Sequence, residues 1–301
     1  MVPSSATVGT DVNLPGRMSF AGHSSREDYV EGIQDRVAIV TGAGRGIAQA
    51  VALKFADEGG LIVANDVDQE PLDETLRLIR VMGGKGVGLV GSVTEPDIGE
   101  RLAELAVSTY GDVHHVFTAA GYTWDGMTHR MSDEQWQAII DVHLTGTFRV
   151  VRDTFKVMRE LAQTSIARGE APVSRHIVTV SSQSSFGNLG QVNYAAAKAG
   201  IVGLTRTVAL EGAMFNIVAN SVAYGAIDTR LTRARETQEE RQGQAVLGIP
   251  QVRRNKMIED LPMKRVGTID EAAGPVLFLC SDLSNYVSGA LLEINGASHI
   301  S

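Results

Sequence analysis

Short apolar runs alternate with amphipathic stretches from about residue 36 to the carboxyl end of the chain. Continuous apolar runs of strand length are typical of strands that are buried on both faces. The stretches between them repeat apolar residues at helical spacing. The pattern therefore predicts strands that alternate with helices. Strands are predicted at 36–41, 61–64, 86–90, 113–119, 176–181, 217–222 and 290–294, and helices at 47–58, 70–82, 95–110, 133–162, 192–214 and 270–281.

Alternating elements of this kind form a parallel sheet with helices on both faces. We predict an α/β fold with a Rossmann-like, doubly wound, seven-stranded parallel sheet in a single domain, residues 35–301. Residues 1–34 mix serine, glycine, proline and charge without periodicity, and we predict that they form a flexible N-terminal arm. The polar, arginine-rich stretch at about 228–262 follows the sixth strand. We predict a lid insertion over the substrate there, with a solvated helical insert as the alternative.

Composition narrows the classes of partner. The formal net charge of −8 argues against a nucleic-acid partner, which usually requires a basic face. The only cysteine, Cys280, lies in an apolar run, so no internal disulfide can form and a cytoplasmic location is expected. No apolar run is long enough to span a membrane. We therefore expect a small-molecule substrate and neither a membrane nor a nucleic-acid partner, and no metal site is predicted.

A glycine-rich turn joins the first predicted strand to the first predicted helix. Glycines allow the backbone to approach a pyrophosphate closely, and the helix N-terminus offers free N–H groups and a positive dipole end. The position of the turn within an α/β pattern favours a dinucleotide site over a purely structural turn. Cofactor contacts are predicted at Gly42, Gly44, Arg45, Gly46 and Ile47.

Asp66 ends the second predicted strand, 20 residues after Gly46. A carboxylate at this position can accept hydrogen bonds from ribose hydroxyls and repels a 2′-phosphate, which favours NAD over NADP. Arg45 is a counter-argument, because a basic side chain in the glycine turn can bind that phosphate. We predict NAD as the cofactor, and NADP remains the alternative.

Tyr194 and Lys198 are four residues apart in a predicted helix, so they share one helical face. A nearby ammonium group stabilises a phenolate and lowers the pKa of the tyrosine, which can then exchange a proton with a substrate oxygen. Two serines, Ser181 and Ser182, end a strand shortly upstream. The combination is much more specific than the tyrosine–lysine spacing alone.

With these residues the chain resembles the short-chain dehydrogenase/reductase family, of the single-domain type. The resemblance covers about residues 34–297. It rests on Thr41 to Ala48, Asp66, Ala119 to Gly121, Ser182, Tyr194, Lys198, Asn220 to Thr229, Leu261 to Gly267 and Tyr286 to Gly289.

The resemblance implies a role for each matching position. Tyr194 is the proton donor and acceptor, Lys198 holds the nicotinamide ribose, and Ser182 polarises the substrate oxygen, with Ser181 as the reserve candidate. His143 stands where the family has an asparagine that supports a proton relay, and a purely structural histidine is the alternative. Further cofactor contacts are implied at Ser92, Val93, Ala119, Ala120, Gly121, Ile227 and Thr229.

The resemblance also implies a function, an NAD-dependent oxidoreductase that interconverts a secondary alcohol and a ketone. Segments around Val142 and Asn188 are most similar to enzymes of 3-oxoacyl and 3-hydroxyacyl thioesters. A homotetramer is implied as well. The alternatives are a catalytically silent dinucleotide-binding sensor or scaffold and an NADP-dependent carbonyl reductase. A sugar-nucleotide epimerase is less favoured, because its glycine spacing and longer substrate domain are absent.

Overall fold

The computed structural model describes residues 30–235 and 248–300. Within these ranges seven parallel strands form one sheet, in the order β3-β2-β1-β4-β5-β6-β7. The strands are β1 (Val37–Thr41), β2 (Leu61–Asp66), β3 (Lys85–Val90), β4 (His115–Thr118), β5 (Arg175–Ser182), β6 (Ile217–Tyr224) and β7 (Leu291–Ile294).

Helices connect the strands and cover both faces of the sheet. Those in the described ranges are α1 (Gly46–Asp57), α2 (Gln69–Val81), α3 (Ile98–Tyr110), α4 (Asp133–Ile140), α5 (Gly146–Ala167), α6 (Val192–Gly212), α7 (Gln251–Asp260) and α8 (Ile269–Cys280). One apolar core joins α1, α2 and α8 to the sheet, and a second core joins α3, α5 and α6. This is the predicted doubly wound α/β fold.

The strand order reverses between β1 and β4. In an open parallel sheet, the connections from two such strands leave in opposite directions, and a crevice opens at their carboxyl ends. The glycine turn follows β1, the loop at Ala119 follows β4, and the serine pair forms the carboxyl end of β5. The topology therefore places the predicted site residues around one crevice.

The long helix predicted at 133–162 is interrupted in the structure. Between α4 and α5, residues Asp141–Thr145 form one π-helical turn, and α5 continues to Ala167. Such a turn inserts a residue into the helical repeat and rotates the side chains around it. Local apolar spacing does not show it, because both flanking helices keep their own periodicity. His143 lies in this turn.

The packed part of the chain begins earlier than the boundary at about 34 that the sequence predicted. Ile33 has no exposed surface, and Val30 packs against the same core. The Gly32 carbonyl oxygen is 2.9 Å from Nε2 of His115. Two apolar residues among charged ones give no periodicity, which is why the sequence pattern did not indicate this packing. Residues 1–29 of the predicted arm lie outside the described residues.

The predicted lid insertion at about 228–262 is described only in part. Ile227 bridges to Gly267, and α7 forms within the insertion. Residues 236–247, which include Arg241, lie outside the described residues. Whether the insertion acts as a lid stays a prediction.

Candidate active site

The glycine turn needs the absence of side chains at two positions. Gly42 has a φ of 71°, and a Cβ added there would lie 2.8 Å from Cα of Ala120. A Cβ added to Gly44 would lie 2.7 Å from Oδ2 of Asp66. The turn therefore packs directly against the ends of β2 and β4, and it leads into α1 with its backbone exposed to the crevice.

Helix α1 begins at Gly46, and no side chain of the described residues caps its first turn. Uncapped N–H groups at a helix N-terminus bind anions, because they are unsatisfied donors at the positive end of the helix dipole. The turn and the start of α1 thus fit a dinucleotide pyrophosphate.

Asp66 and Arg45 both contact Asp68, just beyond the end of β2. The Asp66 carboxylate accepts hydrogen bonds from the backbone N–H of Gly44 at 2.8 Å and from that of Asp68 at 3.0 Å. Nη1 of Arg45 lies 2.6 Å from Oδ2 of Asp68. Nη2 of Arg45 is buried and has no hydrogen-bond partner among the described residues. The arginine that the sequence placed in the glycine turn is therefore ion-paired, with one donor group left over.

Tyr194 and Lys198 lie on one face of α6, with Nζ of Lys198 5.4 Å from the centre of the tyrosine ring. Nζ also donates a hydrogen bond to the carbonyl oxygen of Val180 at 2.6 Å. Burial lowers the pKa of Lys198 to about 7. Burial raises the pKa of Tyr194 to about 12, while a hydrogen bond with the Ser182 side chain acts in the opposite direction. The two groups form a pair whose charge state the surroundings control.

The two serines at the end of β5 point in opposite directions, as successive strand residues do. The Ser181 hydroxyl is buried and donates to the carbonyl oxygen of Lys198 at 2.8 Å. Ser182 is partly exposed, and its hydroxyl accepts a hydrogen bond from the backbone N–H of Ser184 at 3.1 Å. Ser182 is the serine beside the Tyr194 hydroxyl, whereas Ser181 ties β5 to α6.

His143 is buried behind Tyr194. Its ring meets the tyrosine ring edge-on, with 4.9 Å between centres. Nε2 lies 2.7 Å from the carbonyl oxygen of Tyr122, and since a carbonyl can only accept, Nε2 carries the proton. Nδ1 is buried without a hydrogen-bond partner among the described residues. Burial holds the pKa of His143 well below its usual value, so the ring is neutral.

The structure brings the predicted site residues together around one cleft of about 1740 Å³. Of the predicted set, Gly44 alone does not line it, because it lies behind the Asp66 carboxylate. Residues that line the cleft are Gly42, Arg45, Gly46, Ile47, Asp66, Ser92, Val93, Ala119, Ala120, Gly121, His143, Ser182, Tyr194, Lys198, Ile227 and Thr229.

The chain is similar to several known proteins. A family model described as enoyl-(acyl carrier protein) reductase matches residues 42–299. A 3-oxoacyl-(acyl-carrier-protein) reductase of Thermotoga maritima is 35% identical over 264 residues, which are 88% of this chain and 98% of that protein. The chain belongs to the short-chain dehydrogenase/reductase family.

This short-chain dehydrogenase/reductase is also similar to a second bacterial protein and to a solved structure. A short-chain type dehydrogenase/reductase of Mycobacterium tuberculosis is 40% identical over 211 residues, 67% of this chain and 70% of that protein. A short-chain alcohol dehydrogenase from Sinorhizobium meliloti matches with a TM-score of 0.76 and 26% identity, over 88% of this chain and 96% of that chain. The protein is thus an NAD(P)-dependent oxidoreductase that acts on CH–OH groups.

Sequence reasoning missed one residue that positions Tyr194 at the start of α6 in this short-chain dehydrogenase/reductase. Asn193 has no exposed surface, and its Nδ2 donates to the carbonyl oxygens of Trp124 at 3.1 Å and Gln135 at 3.0 Å. Its Oδ1 accepts from the backbone N–H of Tyr194 at 2.8 Å. An asparagine directly before the tyrosine was the available signal, but its partners are about 60 residues away in sequence.

The loop between β5 and α6, residues 183–191, is held from two sides. Phe186 stacks on His299 with 4.1 Å between ring centres, and Gln183 accepts a hydrogen bond from the Ser298 hydroxyl at 2.9 Å. On the other side, Gln191 donates to Asp125 at 3.0 Å. No group of histidine, cysteine and acidic residues in the described ranges could hold a metal ion, and no helix there is long and apolar enough to cross a membrane.

Proposed function

We propose that the protein is an NAD-dependent oxidoreductase that interconverts a 3-hydroxyacyl and a 3-oxoacyl thioester. The observation that carries the proposal is the convergence of Ser182, Tyr194 and Lys198 beside the glycine turn, in one cleft. A sensor without turnover would not need a proton donor, its activating cation and a hydroxyl group around the same opening.

The three side chains divide the proton chemistry between them. In alcohol oxidation, the Tyr194 oxygen accepts the substrate hydroxyl proton as the carbon–hydrogen bond breaks. Ser182 donates a hydrogen bond to the substrate oxygen and stabilises the charge that develops there. The glycine turn and Asp66 would hold NAD, which would supply the hydride acceptor and a positively charged ring. In ketone reduction the same groups act in reverse, and Tyr194 returns the proton.

Proton transfer near neutral pH requires a lower pKa of Tyr194 than the value of about 12 that burial produces. The Ser182 hydrogen bond is already part of this value. The ammonium form of Lys198 acts in the required direction, because a positive charge near the ring stabilises the phenolate. Because the pKa of Lys198 is about 7, its charge is itself pH-dependent in the physiological range.

We propose that His143 holds a water molecule of the relay that reprotonates this pair. Its Nε2–H is used by the Tyr122 carbonyl, so the unpartnered Nδ1 is an acceptor inside the cleft. A water molecule bound at Nδ1 would link the ring to Lys198, whose charge already acts on the pKa of His143. Because the imidazole is neutral, its Nδ1 can accept a hydrogen bond from this water molecule.

The NAD preference rests on two carboxylates. Asp66 presents its carboxylate at the ribose end of the turn, where it repels a 2′-phosphate. Asp68 pairs with Arg45 and neutralises the cation that would bind that phosphate. The free Nη2 of Arg45 is the one observation that favours NADP, and with it the alternative of an NADP-dependent carbonyl reductase.

An Asp68→Asn variant tests this assignment. Removal of the carboxylate releases Arg45 for a 2′-phosphate, so the ratio of kcat/KM for NAD over NADP is expected to fall about tenfold. The control is Glu70→Gln, which removes the same charge from the exposed first turn of α2. An unchanged ratio in Asp68→Asn, or an equal change in the control, would show that Arg45 does not discriminate the cofactors. Wild-type turnover with NADP alone would overturn the NAD assignment.

The thioester substrate class is supported by relatives and by the cleft. The Thermotoga maritima relative is named a 3-oxoacyl-(acyl-carrier-protein) reductase. Apolar side chains with exposed surface, Tyr122, Trp124 and Leu189, line the substrate side of the cleft. An acyl chain can bury them on binding.

The decisive experiment follows absorbance of reduced nicotinamide with NAD or NADP, against 3-hydroxyacyl-CoA esters and a panel of secondary alcohols. Turnover of the esters with NAD is expected, and Tyr194→Phe is expected to lower kcat at least 1000-fold without unfolding the protein. Equal activity of Tyr194→Phe would refute the proton-transfer role. Cofactor binding without any turnover would favour the sensor.

We also propose a homotetramer in the cytoplasm. Exposed apolar residues on α5 and α6, such as Phe148 and Leu210, are candidates for its interfaces. The absence of cysteine pairs fits a reducing compartment. Light scattering of the purified protein would measure the mass, and a monomer at micromolar concentration would refute the tetramer.

A further inference from the structure

Helix α7 carries two kinds of basic side chain. Arg254 is partly buried and engaged, since its guanidinium donates to the carbonyl oxygen of Thr232 at 3.1 Å and lies 3.5 Å from Asp228. Arg253 and Lys256 are exposed, line the cleft, and form no ion pair or hydrogen bond within the described part of the chain. Arg254 thus anchors the helix, whereas the other two cations face the opening without a partner among the residues that the structure describes.

The same helix supplies apolar groups beside these cations. Met257 and Leu261 line the cleft with Arg253 and Lys256, because positions three and four apart share a helical face. We call these four residues the cleft entrance. It combines apolar surface with two adjacent positive charges.

The cleft entrance carries two positive charges, whereas the protein as a whole is negatively charged. The formal net charge is −8, so a site with two unpaired cations is a local exception that attracts an anion. Asp125 and Asp260 also line the cleft. Asp125 is bound by Gln191, and no ion pair joins Asp260 to either cation within the described residues. The two cations are therefore available to a ligand.

We propose that Arg253 and Lys256 bind the phosphate of a phosphopantetheine-bearing substrate. The inference rests on the proposed function and deepens it, because it assigns the anionic end of the thioester to α7. Arg253 and Lys256 are separated by about 4.5 Å along the helix axis, so both can reach one phosphate group. A guanidinium offers two parallel donors to phosphate oxygens, and the ammonium group adds a point charge. The apolar part of the entrance then covers the pantetheine arm.

Phosphopantetheine occurs both in coenzyme A and on acyl carrier protein, and the two sources share the recognised chemistry. A double variant, Arg253→Gln with Lys256→Gln, removes both charges. The control is Arg80→Gln with Lys85→Gln, which also removes two exposed positive charges. Arg80 lies on α2 and Lys85 begins the outermost strand β3, and neither residue lines the cleft.

The first measurement is calorimetric binding of 4′-phosphopantetheine and of pantetheine to the NAD-bound protein. We expect 4′-phosphopantetheine to bind at least tenfold more tightly than pantetheine. This difference should disappear in the α7 double variant and remain in the control. Equal binding of the two compounds by the wild-type protein, or an unchanged difference in the double variant, would overturn the proposal. This readout needs no turnover, so it is independent of whether the proposed reaction occurs.

The second measurement compares kcat/KM for a 3-hydroxyacyl-CoA ester with that for the N-acetylcysteamine ester of the same acid, which has no phosphate. The ratio should fall about tenfold in the double variant. A ratio that does not change would refute the phosphate site even if both esters are substrates. If neither ester is turned over, the proposed function fails while the binding result still decides the site. Replacement of the CoA ester by an acyl-carrier-protein ester identifies the source, because the larger fall in kcat/KM marks the carrier that α7 holds.

Discussion

The carboxyl ends of the parallel strands form one edge of the sheet, the carboxyl edge, and their amino ends form the opposite amino edge. Both edges bury titratable side chains, but only the carboxyl edge opens into the cleft. At the carboxyl edge, His143, Tyr194 and Lys198 surround the cleft. At the amino edge, His114, His115 and His176 pack around the starts of β4 and β5, with the rings of His115 and His176 stacked at 5.3 Å. In all six groups burial is the largest cause of the pKa displacement, and it favours the neutral form.

The surroundings of the two clusters differ. At the carboxyl edge a ligand can enter and change the local charge, whereas at the amino edge the histidines contact protein groups. His115 bonds to the Gly32 carbonyl, His176 to Asn285, and His114 accepts a hydrogen bond from the backbone N–H of Val37. A displaced pKa is therefore not evidence of catalysis by itself. Convergence on an open cleft separates a reactive group from one that only affects stability.

The comparison is tested most strongly by the two serines. Both line the cleft, but Ser181 is buried with its hydroxyl bonded to the Lys198 carbonyl, whereas Ser182 is partly exposed. Ser182→Ala removes the donor beside Tyr194 and is expected to lower kcat by about 100- to 1000-fold, the usual loss for one donor to a developing oxyanion. Ser181→Ala removes only the bond to the Lys198 carbonyl, and we expect it to lower mainly the free energy of unfolding, by about 1 kcal/mol.

Kinetics and chemical denaturation of both variants decide between the serines. The opposite outcome, with a large loss of kcat in Ser181→Ala and little in Ser182→Ala, would make Ser181 the substrate-polarising residue. It would also show that exposure to the cleft is a poor guide to function at this edge of the sheet.

A smaller effect is expected at Gly121, which supports the His143 ring. A Cβ at this position would lie 2.0 Å from Cε1 of His143, so Gly121→Ala must displace the ring from Tyr122 and Tyr194. Displacements of about 1 Å near a reacting group lower rates by about 100-fold, and we expect a loss of kcat of that order. The control is Gly203→Ala on α6, where an added Cβ meets nothing within 4 Å. Equal kinetics in the two variants would mean that His143 is only structural.

Much of the fold follows from local pattern, because strands buried on both faces leave continuous apolar runs. The pair of Tyr194 and Lys198 was equally accessible, since one helical turn separates them. Contacts between distant segments were not accessible. The pairing of Arg45 with Asp68, the bonds of Asn193 to Trp124 and Gln135, and the packing of Ile33 depend on the folded topology. The π-helical turn at His143 belongs to the same group, since it depends on packing against neighbouring elements.

The amino edge provides the last and smallest test, which concerns stability and not activity. Burial lowers the pKa of His176 from 6.5 to about 4. The hydrogen bond between His176 and Asn285 and the negative charge of Asp282 act in the opposite direction. Between these two pH values the unfolded chain binds more protons than the folded protein, so the free energy of unfolding falls as the pH falls. One such histidine contributes a slope of at most about 1.4 kcal/mol per pH unit.

His176→Gln keeps a donor toward Asn285 and removes the titrating group. It should therefore reduce the slope between pH 6.5 and pH 4 by up to about 1.4 kcal/mol per pH unit, which corresponds to one proton. Urea denaturation at several pH values measures the slope, and His129→Gln, at an exposed position, is the control. A slope that stays unchanged in His176→Gln would show that the ring takes up its proton in the folded protein over the same pH range as in the unfolded chain. The amino edge would then hold a buried charge below pH 6.5, and burial would no longer keep the groups of both clusters neutral.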